Sequence, residues 1–413
     1  MIDLSLLREE PAKIKKLINK KDPAFDVDVL IAAYKKVREL KTSIEELRKE
    51  RNSISKKASG GVDKDLREKS IEIGQKIKSQ QKEFEEQEKI LNQLWLTCPN
   101  IPFEDIPSGN KEKNKVIKTV GKKPEFDFEV KNHLQLNEKL GWFDFEAGAK
   151  IAGSQFLCYR KDAVKILYAL TQMMLKNNVK HGFEPVLPPY LATKKSLTNS
   201  GNLPKFAEDV YSVPADDLYL IPTAEVSLTN INANEILATD KLPIRYCAWT
   251  GCFRREAGGY GAQERGLIRI HEFEKVELYT LTKPEASEKE QDKMIACAED
   301  ILQQLGLHYQ ISLLAAQDCS FCSAKTYDIE VWLPGQKKYF EVSSASNCTD
   351  FQARRAAIRY REDADAKPKL VHTLNASSLA LPRLMVAIVE TYQKEDGSVE
   401  LPKKLQDFCD NWW

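Results

Sequence analysis

The chain has 413 residues, 42% hydrophobic and 30% charged, so it can build a sizeable core and is expected to form two to three domains. Its formal net charge of +1 excludes a global field that attracts nucleic acid, and any such binding must use a local patch. The nine cysteines are scattered, and no long apolar run or signal-peptide core is present. These features predict reduced thiols, a cytoplasmic location and no membrane contact.

The first hundred residues carry an apolar heptad pattern in two stretches, with a glycine-containing break at residues 58–62 between them. Spacings of three and four residues alternate, as in a coiled coil. The seam positions are Leu30, Ala33, Val37, Leu40, Ile44, Leu47, Arg51 and Ile54, then Leu66, Ser70, Ile73, Ile77, Gln80, Phe84, Gln87, Leu91 and Leu94. The pattern predicts an antiparallel helical hairpin over residues 27–95, within an N-terminal domain of residues 1–105.

The turn end of this hairpin is basic. Its cations are Arg48, Lys49, Arg51, Lys56 and Lys57, named here the basic tip. A cluster of this kind fits contacts with the phosphates of a nucleic acid. The alternative is a solvated basic end on a coiled coil that dimerises.

Residues 106–132 are polar and contain Pro, Gly and Lys, which indicates a linker to a globular α/β or α+β domain over residues 133–413. Within that domain we expect a helix over 163–177 and an extended segment over 182–190. A hairpin of strands 328–333 and 338–343 and a helix over 379–393 follow. Cys319 and Cys322 form an isolated pair, which offers too few ligands for a zinc site.

The stretch CFRREAGGYGAQERGLIRIHEFEKVEL, residues 252–278, predicts a β-hairpin with strands over 252–256 and 268–278 and glycines between them. Alternation along the second strand places Arg269, His271, Phe273, Lys275 and Glu277 on one face. With an arginine from the first strand, such a face can clamp a phosphate, stack a nucleobase and hold an ammonium. The alternative is a solvated hairpin with ordinary ion pairs.

The glycine-rich phosphate loops GxxxxGK[ST] and GxGxxG are missing from the sequence, as are HExxH and GxSxG. If the chain handles ATP, it therefore does so on a sheet face.

The order of these pieces resembles that of a class II aminoacyl-tRNA synthetase, and specifically a bacterial-type seryl-tRNA synthetase, over almost the whole chain. Behind the helical hairpin, the matching segments are GFEPVLPPYL (182–191), IPTAEVSLTN (221–230), FRREAG (253–258), GLIRIHEFEKVEL (266–278), YFEVSSASNCTDFQARR (339–355) and TLNASSLALPR (373–383). The resemblance implies an α+β fold whose antiparallel or mixed sheet is flanked by helices. It also implies a homodimer that uses ATP and Mg²⁺ to activate L-serine and transfers it to tRNA(Ser), with tRNA(Sec) as a further substrate.

The same resemblance implies the site residues. ATP would be bound by Arg254, Arg255, Glu256, Phe273, Glu341, Val342, Ser343, Ser344 and Arg383. Arg254 would contact the α-phosphate, Phe273 would stack on adenine, and Arg383 would lie on its other face or at the γ-phosphate. Glu341 and Ser344 would hold Mg²⁺. Serine would be bound by Thr223, Ala224, Glu225, Arg254, Glu277, Asn375 and Ser377. Arg254, Glu256, Glu341 and Arg383 would carry the catalysis, and the basic tip would grip tRNA.

The sequence departs from the family pattern in three places. A usual GSGLAVGR reads ASSLALPR at 376–383, so Ala376 and Ser378 are expected to crowd the adenylate, whereas Pro382 suits a helix start. Glycines are also lost at 317–322, and an arginine is lost from the loop at 262–266.

These departures leave two alternatives to a working synthetase. One is a paralogue that delivers serine to an acceptor other than tRNA, and the other is a catalytically silent RNA-binding protein. Serine-dependent pyrophosphate exchange and tRNA charging separate the three.

Overall fold

The structure is a computed structural model that describes residues 1–58, 64–257 and 266–410, except for the side chains of residues 57 and 58. The chain divides into two compact units, Met1–Ile101 and Pro102–Trp413, close to the boundary expected after residue 105. Among the described helices, none has the length and apolar character needed to cross a membrane.

The first unit is helical. Its helices are α1 (Leu6–Glu9), α2 (Pro11–Lys21), α3 (Val27–Ala58) and α4 (Lys64–Thr97). The long helices α3 and α4 pack along the heptad seam, where Leu30, Leu40 and Ile73 are buried. The predicted helical hairpin is therefore confirmed.

Two ion pairs link α3 to α4 and fix their antiparallel register. Lys36 Nζ lies 2.7 Å from Glu83 Oε1, and Lys69 Nζ lies 3.0 Å from Glu50 Oε1. One seam position differs from the prediction. Arg51 is exposed, and its guanidinium lies beside Gly74 of α4, because a long charged side chain at the seam can cover the facing helix and stay in contact with water.

The second unit combines helices with a large sheet. The helices are α5 (His133–Leu140), α6 (Phe145–Ala152), α7 (Asp162–Lys180), α8 (Lys194–Ser200), α9 (Glu225–Ile231), α10 (Ser287–Gln304), α11 (Phe351–Ala356), α12 (Leu381–Thr391) and α13 (Lys403–Asp410). The strands are β1 (Lys115–Val120), β2 (Phe143–Asp144), β3 (Cys158–Tyr159), β4 (Glu184–Pro185), β5 (Leu191–Thr193), β6 (Ser212–Val213), β7 (Leu218–Leu220), β8 (Ile236–Ala238), β9 (Ile244–Phe253), β10 (Glu272–Thr282), β11 (Tyr309–Leu313), β12 (Lys325–Leu333), β13 (Lys338–Asn347), β14 (Arg359–Arg361), β15 (Lys369–Leu370) and β16 (His372–Ala380).

Eight strands form the main sheet in the order β1-β11-β12-β13-β16-β10-β9-β4. All neighbours are antiparallel except β4 and β9, which are parallel. This is the α+β fold that the sequence predicts. One segment differs from the expected linker, because residues 115–120 form β1, the edge strand paired with β11.

Strand alternation gives the two faces of the main sheet different roles. On β10, Val276 and Leu278 enter the core that the sheet forms with α7, α10 and α12. On the other face, Tyr279 and Leu281 enter a smaller core beside α9 and α11. Between that smaller core and the start of β10, the same face carries polar side chains, and this is where the candidate site lies.

The hairpin at 252–278 exists, but its strands differ from the predicted ones. β9 runs back to Ile244 and ends at Phe253, and β10 begins only at Glu272. The reason lies in backbone hydrogen bonds, since Asp209 accepts from the N–H groups of Arg255 and Ala257, at 2.8 and 3.0 Å. Once these donors point at Asp209, they no longer serve a two-stranded ladder.

Candidate active site

A cleft of about 90 Å³ lies on the polar face of the main sheet, where β9, β10, β13 and β16 meet α12. Arg254, at the end of β9, donates through Nε to Pro222 O at 3.2 Å, and its guanidinium lies 5.2 Å from the centre of the Phe273 ring. Glu256 Oε2 accepts from Arg269 Nη2 at 2.7 Å. The cleft therefore joins a cation, an aromatic ring and an ion pair on one wall.

The opposite wall carries Arg383 and Glu341. Arg383 lies near the start of α12, where Pro382 occupies the first turn without removing a needed hydrogen bond. Its Nη1 donates to Glu341 O at 2.9 Å and lies 3.4 Å from Glu341 Oε2. Its Nε donates to Ile268 O at 3.4 Å. In this arrangement Arg254, rather than Arg383, is the cation over the Phe273 ring.

Deeper in the sheet, a second group of residues forms a buried polar pocket. Lys275 Nζ lies 2.5 Å from Glu277 Oε2 and 2.8 Å from Thr223 Oγ1. Thr223 Oγ1 in turn donates to Glu277 Oε2 at 3.3 Å. Ser377 faces Glu277 across the β10–β16 pair and lines the cleft. Side chains far apart in the sequence thus meet, because β10, β16 and the segment before α9 contribute to the same face of the main sheet.

Glu225, the first residue of α9, borders this pocket. Its Oε1 accepts from Gln352 Nε2 at 2.5 Å and from Asn375 Nδ2 at 3.0 Å. Burial, and next the negative charge of Glu277, raise the pKa of Glu225 to about 7. Burial also raises the pKa of Glu277, although Lys275, Thr223 and Arg254 oppose the rise. Both carboxyl groups of the pocket therefore have raised pKa values, and burial is the main cause in each case.

The side chains of four predicted binding residues enter neither the cleft nor the buried polar pocket. Arg255 is exposed and does not line the cleft. Ala224 packs in the smaller core, and Val342 packs in the main core. Ser343 is buried, and its hydroxyl donates to Ser377 O at 2.6 Å. Of these four, Val342 and Ser343 have only backbone groups to offer a ligand on this face.

The expected crowding by Ala376 and Ser378 is wrong. Ala376 lies opposite Leu278, and both side chains enter the main core beneath the sheet. Ser378 is buried and donates to Asn178 Oδ1 of α7 at 2.8 Å. Because Ser377 is the residue between them, alternation points it into the cleft and its two neighbours away from it.

The pair predicted to hold a divalent cation is Glu341 and Ser344. Asp328 lies opposite Ser344 in the β12–β13 pair, and its Oδ1 is buried without a hydrogen bond within the described residues. Burial, and next the charge of Glu341, raise the pKa of Asp328 well above its ordinary value. Oxygen donors of this kind fit Mg²⁺, and a bound cation would favour the ionised form of these carboxyl groups.

The remaining sequence predictions concern the basic tip, the loop near residue 262 and the two cysteines Cys319 and Cys322. Arg48, Lys49, Arg51 and Lys56 are exposed on α3, and Arg48 Nη2 donates to Gln81 Oε1 of α4 at 3.2 Å. The Lys57 side chain and the loop at 262–265 lie outside the described residues. Cys319 and Cys322 are buried, and Cys322 Sγ lies 3.3 Å from Ser200 O.

The family model "tRNA synthetase class II core domain (G, H, P, S and T)" matches residues 210–392, and "Seryl-tRNA synthetase N-terminal domain" matches residues 1–102. A protein of Syntrophobacter fumaroxidans named serine–tRNA ligase is 45% identical, and the alignment covers 100% of this chain and 99% of that protein. The chain belongs to the seryl-tRNA synthetase family.

Two solved seryl-tRNA synthetases agree with this assignment. The enzyme of Pyrococcus horikoshii, solved with ATP, is 36% identical with a TM-score of 0.95 and covers 99% of this chain and 98% of its own. The cytoplasmic enzyme of Naegleria fowleri, solved with AMP, is 28% identical with a TM-score of 0.87 and covers 99% and 97%. The chain is thus a serine–tRNA ligase, a class II synthetase that joins serine to tRNA(Ser).

Three residues of the candidate site have no role in the sequence-based prediction. Lys275 was placed on the correct face by strand alternation, but nothing in the pattern gave its partners. Gln352 lies inside a matching segment, yet its contact with Glu225 joins positions far apart in the sequence. Asp328 belongs to a predicted strand, and the register that sets it opposite Ser344 is what makes it relevant.

Proposed function

We propose that this cleft activates L-serine with ATP and passes it to the 3′ end of tRNA(Ser). The observation that carries the proposal is the juxtaposition on one sheet face of two arginines and an aromatic ring with a buried acidic pocket. The first group suits the triphosphate and base of ATP, and the second suits a small zwitterion with a hydroxyl. The proposal includes tRNA(Sec) as a further substrate.

The nucleotide side of the cleft uses cations and stacking. Adenine stacks on Phe273, which requires Arg254 to leave the ring and turn to the α-phosphate. Arg383 contacts the base or the γ-phosphate from the opposite wall, and Glu256 holds the adenine amino group or the tRNA end. Guanidinium groups suit this work because their planar fork binds phosphate oxygens in pairs.

The amino-acid side of the cleft is the buried pocket. Glu277 and Glu225 attract the ammonium of serine, and Asn375 and Ser377 read its hydroxyl. A pocket whose polar groups pair with that hydroxyl rejects alanine, because those groups would be left buried without partners.

Two chemical steps follow from this placement. The serine carboxylate attacks the α-phosphorus of ATP, forming seryl-adenylate and releasing pyrophosphate. A hydroxyl of the terminal adenosine of tRNA then attacks the adenylate carbonyl, forming the ester and releasing AMP. The arginines stabilise charge on the phosphates, so positioning and electrostatics suffice without a protein nucleophile.

A divalent cation fits the acidic end of this cleft. Glu341 and Ser344 would hold Mg²⁺, and the buried Asp328 Oδ1, which has no hydrogen bond within the described residues, supports that oxygen donor set. When bound, the ion neutralises phosphate charge and keeps the triphosphate bent.

The remaining parts of the proposal concern partners and location. The basic tip of the helical hairpin contacts tRNA phosphates, and residues 1–105 form the tRNA-binding domain. The exposed apolar side chains of Val179, Leu187, Tyr190 and Leu191 support a homodimer interface near β4. The scattered buried thiols and the likeness to a cytoplasmic relative support a cytoplasmic location.

Pyrophosphate exchange in a matched pair of arginine variants tests the site assignment. We expect Arg254→Ala to lower kcat/KM at least ~100-fold, since it removes a group aimed at transition-state charge. Arg255→Ala is the control, because its side chain is exposed beside the cleft, and it should change kcat/KM less than about threefold. Equal losses in the two variants would contradict the assignment.

A further inference from the structure

Lys275 is a buried cation with two partners in the serine pocket. Its side chain is only 7% exposed, although lysine is almost never buried without pairing. Its Nζ contacts Glu277 Oε2 at 2.5 Å and Thr223 Oγ1 at 2.8 Å. β10 fixes this geometry, because Lys275 and Glu277 are two residues apart on one strand and so lie on the same face.

The contacts of Thr223 saturate its hydroxyl. A hydroxyl has one donor and two acceptor sites. Thr223 Oγ1 accepts from Lys275 Nζ at 2.8 Å and from the Glu225 backbone N–H at 3.3 Å, and it donates to Glu277 Oε2 at 3.3 Å. It therefore has no hydrogen-bonding site left for the serine hydroxyl. Recognition of that hydroxyl is then left to Asn375 and Ser377.

The same contacts divide the two oxygens of Glu277 between protein and substrate. In the described part of the chain, Lys275 and Thr223 both bind Oε2. Oε1 is left for the substrate ammonium. A carboxylate that rotated freely would lose this preorganised direction.

Charge around Glu277 gives Lys275 a second role. The charged or titratable groups facing it are Lys275 on its own strand, Arg254 and Cys252 from β9, and Glu225 from α9. From β16 it faces Ser377, which is neutral. The outer cleft adds two ion pairs, Glu256 with Arg269 and Glu341 with Arg383. Burial raises the pKa of Glu277 and Lys275 is the strongest group that opposes this rise, so Lys275 favours the ionised form of this carboxyl.

We propose that Lys275 is a positioning residue for serine recognition, which holds Glu277 ionised and aimed and locks Thr223 out of direct contact with the substrate hydroxyl. In this role Lys275 acts through Glu277 and Thr223. This inference rests on the proposed serine site.

The test is pyrophosphate exchange as a function of pH with Lys275→Met, which keeps the length of the side chain and removes its charge. We expect KM for serine to rise at least ~30-fold, with KM for ATP changed less than about threefold. The acidic limb of kcat/KM for serine should move to higher pH by at least about one unit, because Glu277 without its counter-ion ionises at higher pH. Lys275→Arg should leave that limb near its wild-type position.

Lys283→Met is the matched control, since Lys283 is also ion-paired, with Glu362 Oε2 at 2.9 Å, but lies outside the pocket. If Lys275→Met is too unstable, the double variant with Glu277→Gln should recover most of the lost Tm, because it removes the carboxylate left unpaired. An unshifted pH profile in Lys275→Met, or no recovery in the double variant, overturns the inference. Wild-type protein without serine-dependent exchange would instead contradict the proposed function.

Discussion

Glu225 is the residue whose protonation should have the clearest effect on the pH dependence of stability. Its carboxyl is buried between Gln352 and Asn375, and its pKa is raised from 4.5 to about 7. The folded state therefore binds more protons than the unfolded state between those pH values. It follows that the free energy of unfolding falls as pH rises from about 4.5 to about 7, by of order 3 kcal/mol.

Replacing this acid by its amide should remove that dependence. We expect the Tm of Glu225→Gln to equal that of the wild type near pH 5 and to exceed it by a few degrees at pH 8, because the amide accepts the same hydrogen bonds without charge. Calorimetric scans of both proteins across this pH range make the measurement. Parallel Tm curves would show that Glu225 ionises as an ordinary carboxyl.

Residue-level prediction reached the polar face of β10 but stopped at its partners. Period-two alternation is a local property, so Phe273, Lys275 and Glu277 follow from the sequence alone. The contacts of Gln352 with Glu225 and of Asp328 with Ser344 depend on register between distant segments. No single-sequence pattern encodes that register.

At the scale of elements, β16 explains how the chain tolerates its missing glycines. Ala376 and Ser378 face the core beneath the sheet, so their side chains add packing on the side away from the cleft. The sequence alone could not reveal this, because the bulge between β10 and β16 shifts the register near Lys275 and Glu277.

Restoring a glycine at this position should therefore lower stability without improving activity. We expect Ala376→Gly to lose about 1 kcal/mol of unfolding free energy, through a lost buried methyl and greater freedom of the unfolded chain. Its KM values for serine and ATP should stay within about twofold of the wild type, whereas Ser377→Ala, which faces the cleft, should raise KM for serine. Denaturant titration and exchange kinetics measure both effects, and faster exchange in Ala376→Gly would revive the crowding interpretation.

The strand ends of the 252–278 hairpin show a different limit of sequence reading. Apolar and polar residues continue to alternate over residues 268–271 of the sequence, but the structure has a 3₁₀ turn over Gly266–Ile268. Arg254 N–H still donates to His271 O, but the next backbone N–H groups donate to Asp209 and Gln155 instead of to the neighbouring strand. Such competition between partners lies outside any local pattern.

At the scale of the whole molecule, the proposed function divides the reaction between the two units. The helical unit carries the exposed basic tip, and the sheet unit carries the cleft. The heptad spacing predicted the first unit well because a coiled coil is a local, repetitive structure. The sheet unit was recognised by its ordered segments, since its pairing is not local.

This division predicts that charge reversal at the basic tip affects tRNA and not adenylate formation. We expect Arg48→Glu with Lys49→Glu to raise KM for tRNA at least ~10-fold in charging assays, more strongly at low salt, because phosphate contacts release counter-ions. Serine-dependent exchange should stay unchanged. Lys35→Glu with Lys41→Glu, nearer the start of α3, is the control, and equal effects from both pairs would contradict the assignment of the tip.

The central claim is that this cleft activates serine, and the most direct measurement is ATP–pyrophosphate exchange with the purified chain and Mg²⁺. The assay should compare serine with alanine, threonine and cysteine. The account predicts rapid exchange with serine and at most weak exchange with the other three, because only serine pairs with the polar groups of the pocket without added bulk. Absence of exchange with serine, or equal exchange with alanine, would contradict it.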